Sequence, residues 1–320
     1  MSKRYEFIKA PQRSARWLEL RKQGIGASDV AAVLGVSPYK SRLELYLQKR
    51  GELDEKPVGV AAQRGVILED AVAKMYEAER PGTKLRSWHG IIRRKDAPWK
   101  YASLDRTIVG TERIVEIKTS SSPRWQLYPV PPEVEAQARW QMIVSGFKYV
   151  DIAALLGGLV LRIETIEWDD EKHERIEAEV EQFWRDVQDG IQPDPSPLDS
   201  EIFDRVYPKD SGETIDAEKD SELDKLIVSL INTRKVAKAA DEIVSTIEAK
   251  IKDAMREATQ LKGSVATISW KATAERRSVD WETIARESIQ SMSDLDIAIK
   301  NNERVSVGSR RFVVKEDANV

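Results

Sequence analysis

The stretch ASLDRTIVGTERIVEIKT, residues 102–119, decides the fold. Two β-branched, apolar-rich runs flank Gly110-Thr111, a pair suited to a tight two-residue turn, so the segment reads as a β-hairpin. With that turn Val109 faces Glu112, and stepping back along the ladder sets Asp105 opposite Glu116. Side chains alternate along a strand, so Lys118 shares the face of Glu116 while Val115 and Ile117 take the other. Two carboxylates this close repel, and one is driven to bind a proton unless a cation intervenes. Taking them out of water without partners is costly as well. A divalent cation held by both, with the lysine alongside, resolves the arrangement. Oxygen-only ligands favour Mg2+, with Mn2+ as a substitute, over zinc. The plainer alternative is a surface hairpin in which Lys118 makes an ordinary salt bridge.

Working outward, AAQRGVILEDAVAKMYEAER reads as a helix with Leu68, Val72, Met75 and Tyr76 at helical spacing. Glu69 borders that stripe, whereas Asp70 points more to solvent. A carboxylate at a core edge needs a partner, which makes Glu69 a candidate third metal ligand. Downstream, PPEVEAQARWQMIVSG forms a helix with Gln137 beside Val134, Ala138 and Gln141. From there Gln137 can hydrogen-bond the lysine or an attacking water, or be a plain polar helix residue. DIAALLGGLVLRI reads as a second hairpin turning at Gly157-Gly158, followed by the helix DDEKHERIEAEVEQFWRDVQDG. Upstream, SARWLELRKQGIGASDVAAVLG reads as a helix, a glycine-containing loop and a second helix capped by Ser28. SRLELYLQKRG is a short helix ending at Gly51, and a strand lies near SWHGIIRR. The pattern predicts an α/β fold with a mixed central sheet flanked by helices.

Composition narrows the chemistry. The chain of 320 residues has no cysteine and two histidines, His89 and His173, which are isolated and expected to be structural or solvated. Disulfides, thiolate metal sites and thiol nucleophiles are thereby excluded, so the chemistry falls to carboxylates, lysine, arginine and hydroxyls. A net charge of −3 argues against a wholly basic nucleic-acid coat but not against a local basic track. The first two dozen residues are basic, carrying Lys3, Arg4, Lys9, Arg13, Arg16, Arg21 and Lys22 against Glu6 and Glu19. No signal-like or bilayer-spanning apolar run is visible, and a cytoplasmic location, in a bacterial host cell, is expected.

The proline-rich run GIQPDPSPLDSE signals the end of the core. We therefore expect a core domain over 1–211, a long helical or coiled-coil arm over 212–262 and a small α/β tail over 263–320. The arm has neither glycine nor proline from Asp220 to Leu261, and Leu223, Leu226, Leu230, Ile243, Ile247 and Ile251 recur at a three-to-four-residue period. The tail includes SVATISWKA, a short helix from Asp280 and SVGSRRFVVKE. The extension reads as an oligomerisation or scaffold arm, the alternative being a platform for a partner or for DNA that uses Arg276, Arg277, Arg310 and Arg311.

WLELRKQGIGASDVAAVLG, RGVILED, SLDRTIVGTERIVEIKTS and VEAQARWQMIVSG, in that order, resemble the phage lambda exonuclease and YqaJ-type viral recombinase nucleases of the PD-(D/E)xK superfamily. The resemblance covers roughly residues 13–190. It implies a restriction-endonuclease-like core and two magnesium ions. Glu69 matches the helix glutamate, Asp105 the central metal aspartate, and Glu116 and Lys118 the ExK pair. The Ile117 carbonyl would be a further ligand, and Gln137 matches the glutamine that supports lysine and water. Arg21 and Ser28 match the pair that holds a 5′-phosphate at a DNA end. The usual proline or glycine before the aspartate is Leu104 here, which leaves the carboxylate itself unaffected.

The resemblance implies a processive 5′-to-3′ exonuclease on linear double-stranded DNA that leaves 3′ single strands for annealing-type recombination. It further implies a homotrimeric ring around the duplex and a single-strand annealing protein as partner. The competing readings are a structure-specific or restriction-like endonuclease of the same fold, and a non-enzymatic DNA-end-binding scaffold. An intact Glu69, Asp105, Glu116 and Lys118 set speaks against the last.

Overall fold

Strands and helices alternate around a five-stranded sheet in this computed structural model, which describes residues 4–57 and 59–272 together with positions 297, 300 and 301. In chain order the strands are β1 (Tyr5–Lys9), β2 (Leu85–Ser87), β3 (Gly90–Arg94), β4 (Tyr101–Ala102), β5 (Arg106–Ile108), β6 (Arg113–Ser120), β7 (Tyr149–Leu156), β8 (Val160–Glu167), β9 (Gln260–Lys262) and β10 (Thr267–Ser269). The helices are α1 (Ala15–Lys22), α2 (Val30–Val33), α3 (Arg42–Arg50), α4 (Val60–Glu79), α5 (Arg124–Leu127), α6 (Pro132–Ser145), α7 (Asp170–Asp189), α8 (Ser200–Val206) and α9 (Ser221–Met255).

The main sheet runs β2-β5-β6-β7-β8, with β6 parallel to β7 and the other pairs antiparallel, so it is a mixed sheet. Its two faces are covered differently. Val115, Ile117, Ala153 and Leu155 pack against Val72, Ala73 and Tyr76 of α4. Ile114, Val150, Ile152 and Ala154 point the other way, into the larger core built with Trp140, Met142, Ile143 and Val144 of α6 and with Phe183 of α7. The period-two alternation of β6 therefore sorts its residues between two cores. The expected apolar stripe on α4 is narrower than its spacing suggests, because Leu68 and Met75 are exposed while Val72, Ala73 and Tyr76 are buried.

The opening hairpin keeps the expected register, with Arg106 facing Val115 and Thr107 facing Ile114. Its turn is centred differently: Thr111 N–H bonds the Ile108 carbonyl, so Val109-Gly110 are the central residues, and Gly110 supplies the positive φ of 80°. The second hairpin turns at Gly157-Gly158, both at positive φ.

The N-terminus departs from the expected pattern twice. The basic leading segment contains a strand, Tyr5–Lys9, which is β1 of a separate three-stranded antiparallel sheet, β1-β3-β4. Only Tyr5 in it is buried, so it carries no period-two pattern that marks a strand. Ser28 is not a helix N-cap either. It lies inside a 3-10 turn, Ala27–Asp29, which Asp29 closes by accepting from Gly26 N–H at 3.1 Å. The hydroxyl is thereby left available for a side-chain partner.

The chain divides into two units, Met1–Pro208 and Lys209–Val320. Within the second, α9 begins at an Asp220 cap and continues for 35 residues, followed by the small β9–β10 hairpin. Leu226, Ile243 and Ile247 on α9 are exposed. The expected short helix from Asp280, the strand near residue 311 and the four tail arginines fall outside the described residues. Among the described residues no helix is long and apolar enough to cross a membrane.

Candidate active site

The site assembles where β5 ends and β6 continues. Asp105 lies one residue before β5, so Ile117 of β6 has lost its strand partner at that edge. Asp105 fills the gap by accepting from the Ile117 N–H at 2.9 Å. A strand residue directs its N–H and C=O to the same edge, so the Ile117 carbonyl also faces Asp105 rather than β7. The other carboxylate oxygen of Asp105 has no hydrogen bond to a described residue.

Glu116 is the opposite case, 1% exposed and accepting from three donors. Its Oε1 accepts from Lys118 Nζ at 2.6 Å and from Gln137 Nε2 at 2.5 Å, and its Oε2 accepts from Gln141 Nε2 at 2.6 Å. Lys118 also donates to Gln137 Oε1 at 2.9 Å. One turn of α6 separates Gln137 from Gln141, which is why both amides reach one carboxylate. Gln141 is fully buried and spans Glu116 and the Ser103 carbonyl at 3.1 Å, while its own Oε1 is left without a partner. Sequence reasoning placed Gln141 in the apolar stripe. Its four-residue spacing from Gln137 was the available signal.

The electrostatics are lopsided. Burial pushes the Asp105 carboxyl well above the usual carboxylate range, and the charges of Glu116 and Glu69 add to this against Lys118 and the Ile117 N–H. Burial by itself would pull Lys118 down, but Glu116 and Asp105 outweigh it and hold the amine protonated. The two carboxylates Asp105 and Glu116 thus share one ammonium.

Glu69 does not point at that pair. Its Oε1 accepts from Arg106 Nη1 at 2.5 Å, while Arg106 Nη2 donates to Asp70 Oδ1 at 2.5 Å. Among the described residues, no three acidic or histidine side chains converge closely enough, as they stand, to hold one metal ion. The expected three-carboxylate cage is therefore open at Glu69. The donor chemistry still fits a hard divalent cation at Asp105 and Glu116: the donors are all oxygens, and the negative charge exceeds the positive. The under-bonded, half-buried carboxylate of Asp105 also stands beside a carbonyl.

A second cluster surrounds Arg21. Its guanidinium donates to Ser28 Oγ at 3.2 Å, Asp29 Oδ1 at 3.3 Å and Glu55 Oε1 at 3.4 Å, and lies 4.6 Å from the centre of the Trp17 ring. Arg21 and Ser28 are brought together, then, although they are seven residues apart. Asp29, 1% exposed, is the anchor. It also accepts from Lys49 Nζ at 2.7 Å. Burial would raise the Asp29 carboxyl, but Lys49 and Arg21 together hold it far below its ordinary value. Burial pulls Lys49 down despite Asp29. The Tyr101 hydroxyl joins the cluster by donating to the Arg21 carbonyl at 3.1 Å, and the sequence offers no direct sign of Lys49 or Tyr101 here, since each comes from a distant segment. Trp17 Nε1 donates to Ser103 Oγ at 3.4 Å, and the Ser103 carbonyl accepts from Gln141. Trp17, Ser103 and Gln141 therefore connect the Arg21 cluster to Glu116.

Residues 16–148 match the model of the YqaJ-like viral recombinase domain. Over 194 residues the chain is 36% identical to the uncharacterized protein YqaJ of Bacillus subtilis (strain 168), a match that covers 58% of this chain and 60% of that relative. The chain thus spans less than two-thirds of that relative's length. Among solved structures, it is similar to an alkaline exonuclease (LHK-Exo) from Laribacter hongkongensis, at 25% identity and a TM-score of 0.47 over 56% of this chain and 94% of that one. It is also similar to a phage related exonuclease from Haemophilus somnus 129PT, at 13% identity and a TM-score of 0.44 over 52% of this chain and 95% of that one.

Proposed function

On the match of residues 16–148 to the YqaJ-like viral recombinase domain, we propose that the chain is a Mg2+-dependent 5′-to-3′ exonuclease acting on ends of linear double-stranded DNA. The observation that carries this reading is the grouping of an under-bonded, half-buried Asp105 with buried Glu116 and with Lys118 and Gln137 at the open end of β5. Asp105, Glu116, the Ile117 carbonyl and, after reorientation, Glu69 would hold divalent ions. Such ions lower the pKa of a bound water and stabilise the departing 3′-oxygen of a phosphodiester.

The residues of the chain do the positioning. Lys118 is protonated, so its role is to orient the water and offset charge on the phosphate rather than to remove a proton at rest. Gln137 fixes the Lys118 ammonium, and Gln141 fixes Glu116. Arg21 and Ser28 would together receive a terminal phosphate, with Asp29 holding the guanidinium in place. A pocket for a 5′-phosphate has a use only at a strand end, which favours an exonuclease over an endonuclease of the same fold. We propose further that the protein works as a homotrimer enclosing its DNA, with a single-strand annealing protein as partner that takes up the exposed 3′ strand. Enclosure reconciles DNA binding with a net charge of −3, because the basic groups need only line a channel.

The test is digestion of linear duplexes bearing a 5′-phosphate or 5′-hydroxyl and labelled at either end, with and without Mg2+ or Mn2+, beside a closed circular duplex. The expected result is metal-dependent loss from 5′ ends, stimulated by phosphate, with the stimulation lost in Arg21→Ala and the circle untouched. Cleavage of the circle would establish the endonuclease. No digestion with either metal would leave end binding as the function.

A further inference from the structure

We propose that Arg106 competes with a divalent cation for Glu69: it is the counter-ion that pairs with Glu69, and it hands Glu69 over to a cation bound at the Asp105–Glu116 pair. The inference rests on the proposed reading of the site.

The geometry is specific. Arg106 opens β5 directly after Asp105, and strand alternation sends the two side chains to opposite faces of the sheet. Its side chain is 7% exposed and is fastened at three points: Nη1 to Glu69 Oε1 and to the Asp105 carbonyl at 2.7 Å, and Nη2 to Asp70 Oδ1. Glu69 is 26% exposed and Asp70 is 86% exposed. The guanidinium therefore has two carboxylates where one would neutralise it. If Glu69 leaves, Arg106 keeps Asp70 and the Asp105 carbonyl, so no buried charge is stranded. Glu69 Oε2 has no hydrogen bond to a described residue and is free to lead the exchange. Asp70 thus acts as the carboxylate held in reserve, and Arg106 as the residue that sets how readily Glu69 turns to the metal.

The experiment measures Mn2+ affinity of the full chain by electron paramagnetic resonance of free Mn2+, a readout independent of turnover. Arg106→Gln should bind Mn2+ several-fold more tightly than wild type, because the competitor for Glu69 is gone. Glu69→Gln should bind more weakly, and Arg106→Gln combined with Glu69→Gln should be no tighter than Glu69→Gln alone. Equal tightening in both backgrounds means a bulk charge effect and overturns the handover, as does no tightening at all. Asp70→Asn, an exposed substitution that leaves Arg106 with Glu69 alone, is expected to weaken Mn2+ binding a few-fold at 0.5 M salt, where long-range attraction is screened to about 4 Å. That variant decides the matter if Arg106→Gln does not fold, and unchanged affinity would count against the proposal. Binding unaltered in Glu116→Gln would show instead that the metal reading of the site is wrong.

Discussion

Gln141 Nε2 lies 2.6 Å from Glu116 Oε2 in a fully buried position, and the same amide nitrogen reaches the Ser103 carbonyl. A neutral side chain outside the expected site is thus a support for its most buried carboxylate. Gln141→Leu preserves volume but removes a hydrogen bond to a charged group and strands the Ser103 carbonyl. The expected cost is about 2–3 kcal/mol in urea unfolding. Turnover on linear duplex should fall by about 10- to 100-fold through misplacement of Glu116. Unchanged turnover in a folded variant would remove Gln141 from the site.

Lys118 is held protonated by Glu116 and Asp105. Lys118→Ala is therefore expected to lower turnover by about 100- to 1,000-fold, the range for removing one preorganised donor. Affinity for duplex ends should hardly change. Lys118→Arg, which keeps the charge, should recover part of the loss. Full activity in Lys118→Ala would exclude any role for the ammonium.

Asp29 makes the stability of the Arg21 cluster pH-dependent. Its folded pKa is depressed below the ordinary 3.8, so its contribution is present above that value and is lost as pH falls through the depressed one. Asp29→Asn leaves Lys49 buried beside Arg21 without a counter-charge and is expected to cost about 3–5 kcal/mol near neutral pH. The gap between variant and wild type should narrow only in strong acid, below about pH 4. Thermal unfolding from pH 7 to pH 2 measures it, and a constant gap would refute the assignment.

Gly26 is required by contact rather than by backbone angle. A Cβ at this position would lie 2.4 Å from Tyr101 Cε2, and the Tyr101 hydroxyl bonds the Arg21 carbonyl at 3.1 Å and Asp29 at 3.4 Å. Gly26→Ala should displace that ring and cost about 1–3 kcal/mol as an overpacked core. It should also erode the preference for 5′-phosphate over 5′-hydroxyl while sparing Mn2+ binding. Loss of both in equal measure would point to global unfolding instead.

The sequence by itself determined the register of the 102–119 hairpin and, with it, which face of the sheet receives Glu116 and Lys118. Period-two alternation and a glycine turn are local properties that carry their own geometry. The helices α4, α6, α7 and α9 were legible for the same reason, since their ends are marked by glycine, proline and acidic caps. Tertiary structure alone decided the rest. Ser28 lost its capping role because Asp29 closes the turn, Gln141 became polar support because α6 docks over β6, and Glu69 turned to Arg106 because β5 begins immediately after Asp105. Each of these is settled by which charge lies nearest in space. The spacing of residues along a chain is silent on that distance when the partners come from separate elements, so the identities of the acidic side chains were readable but their partners were not.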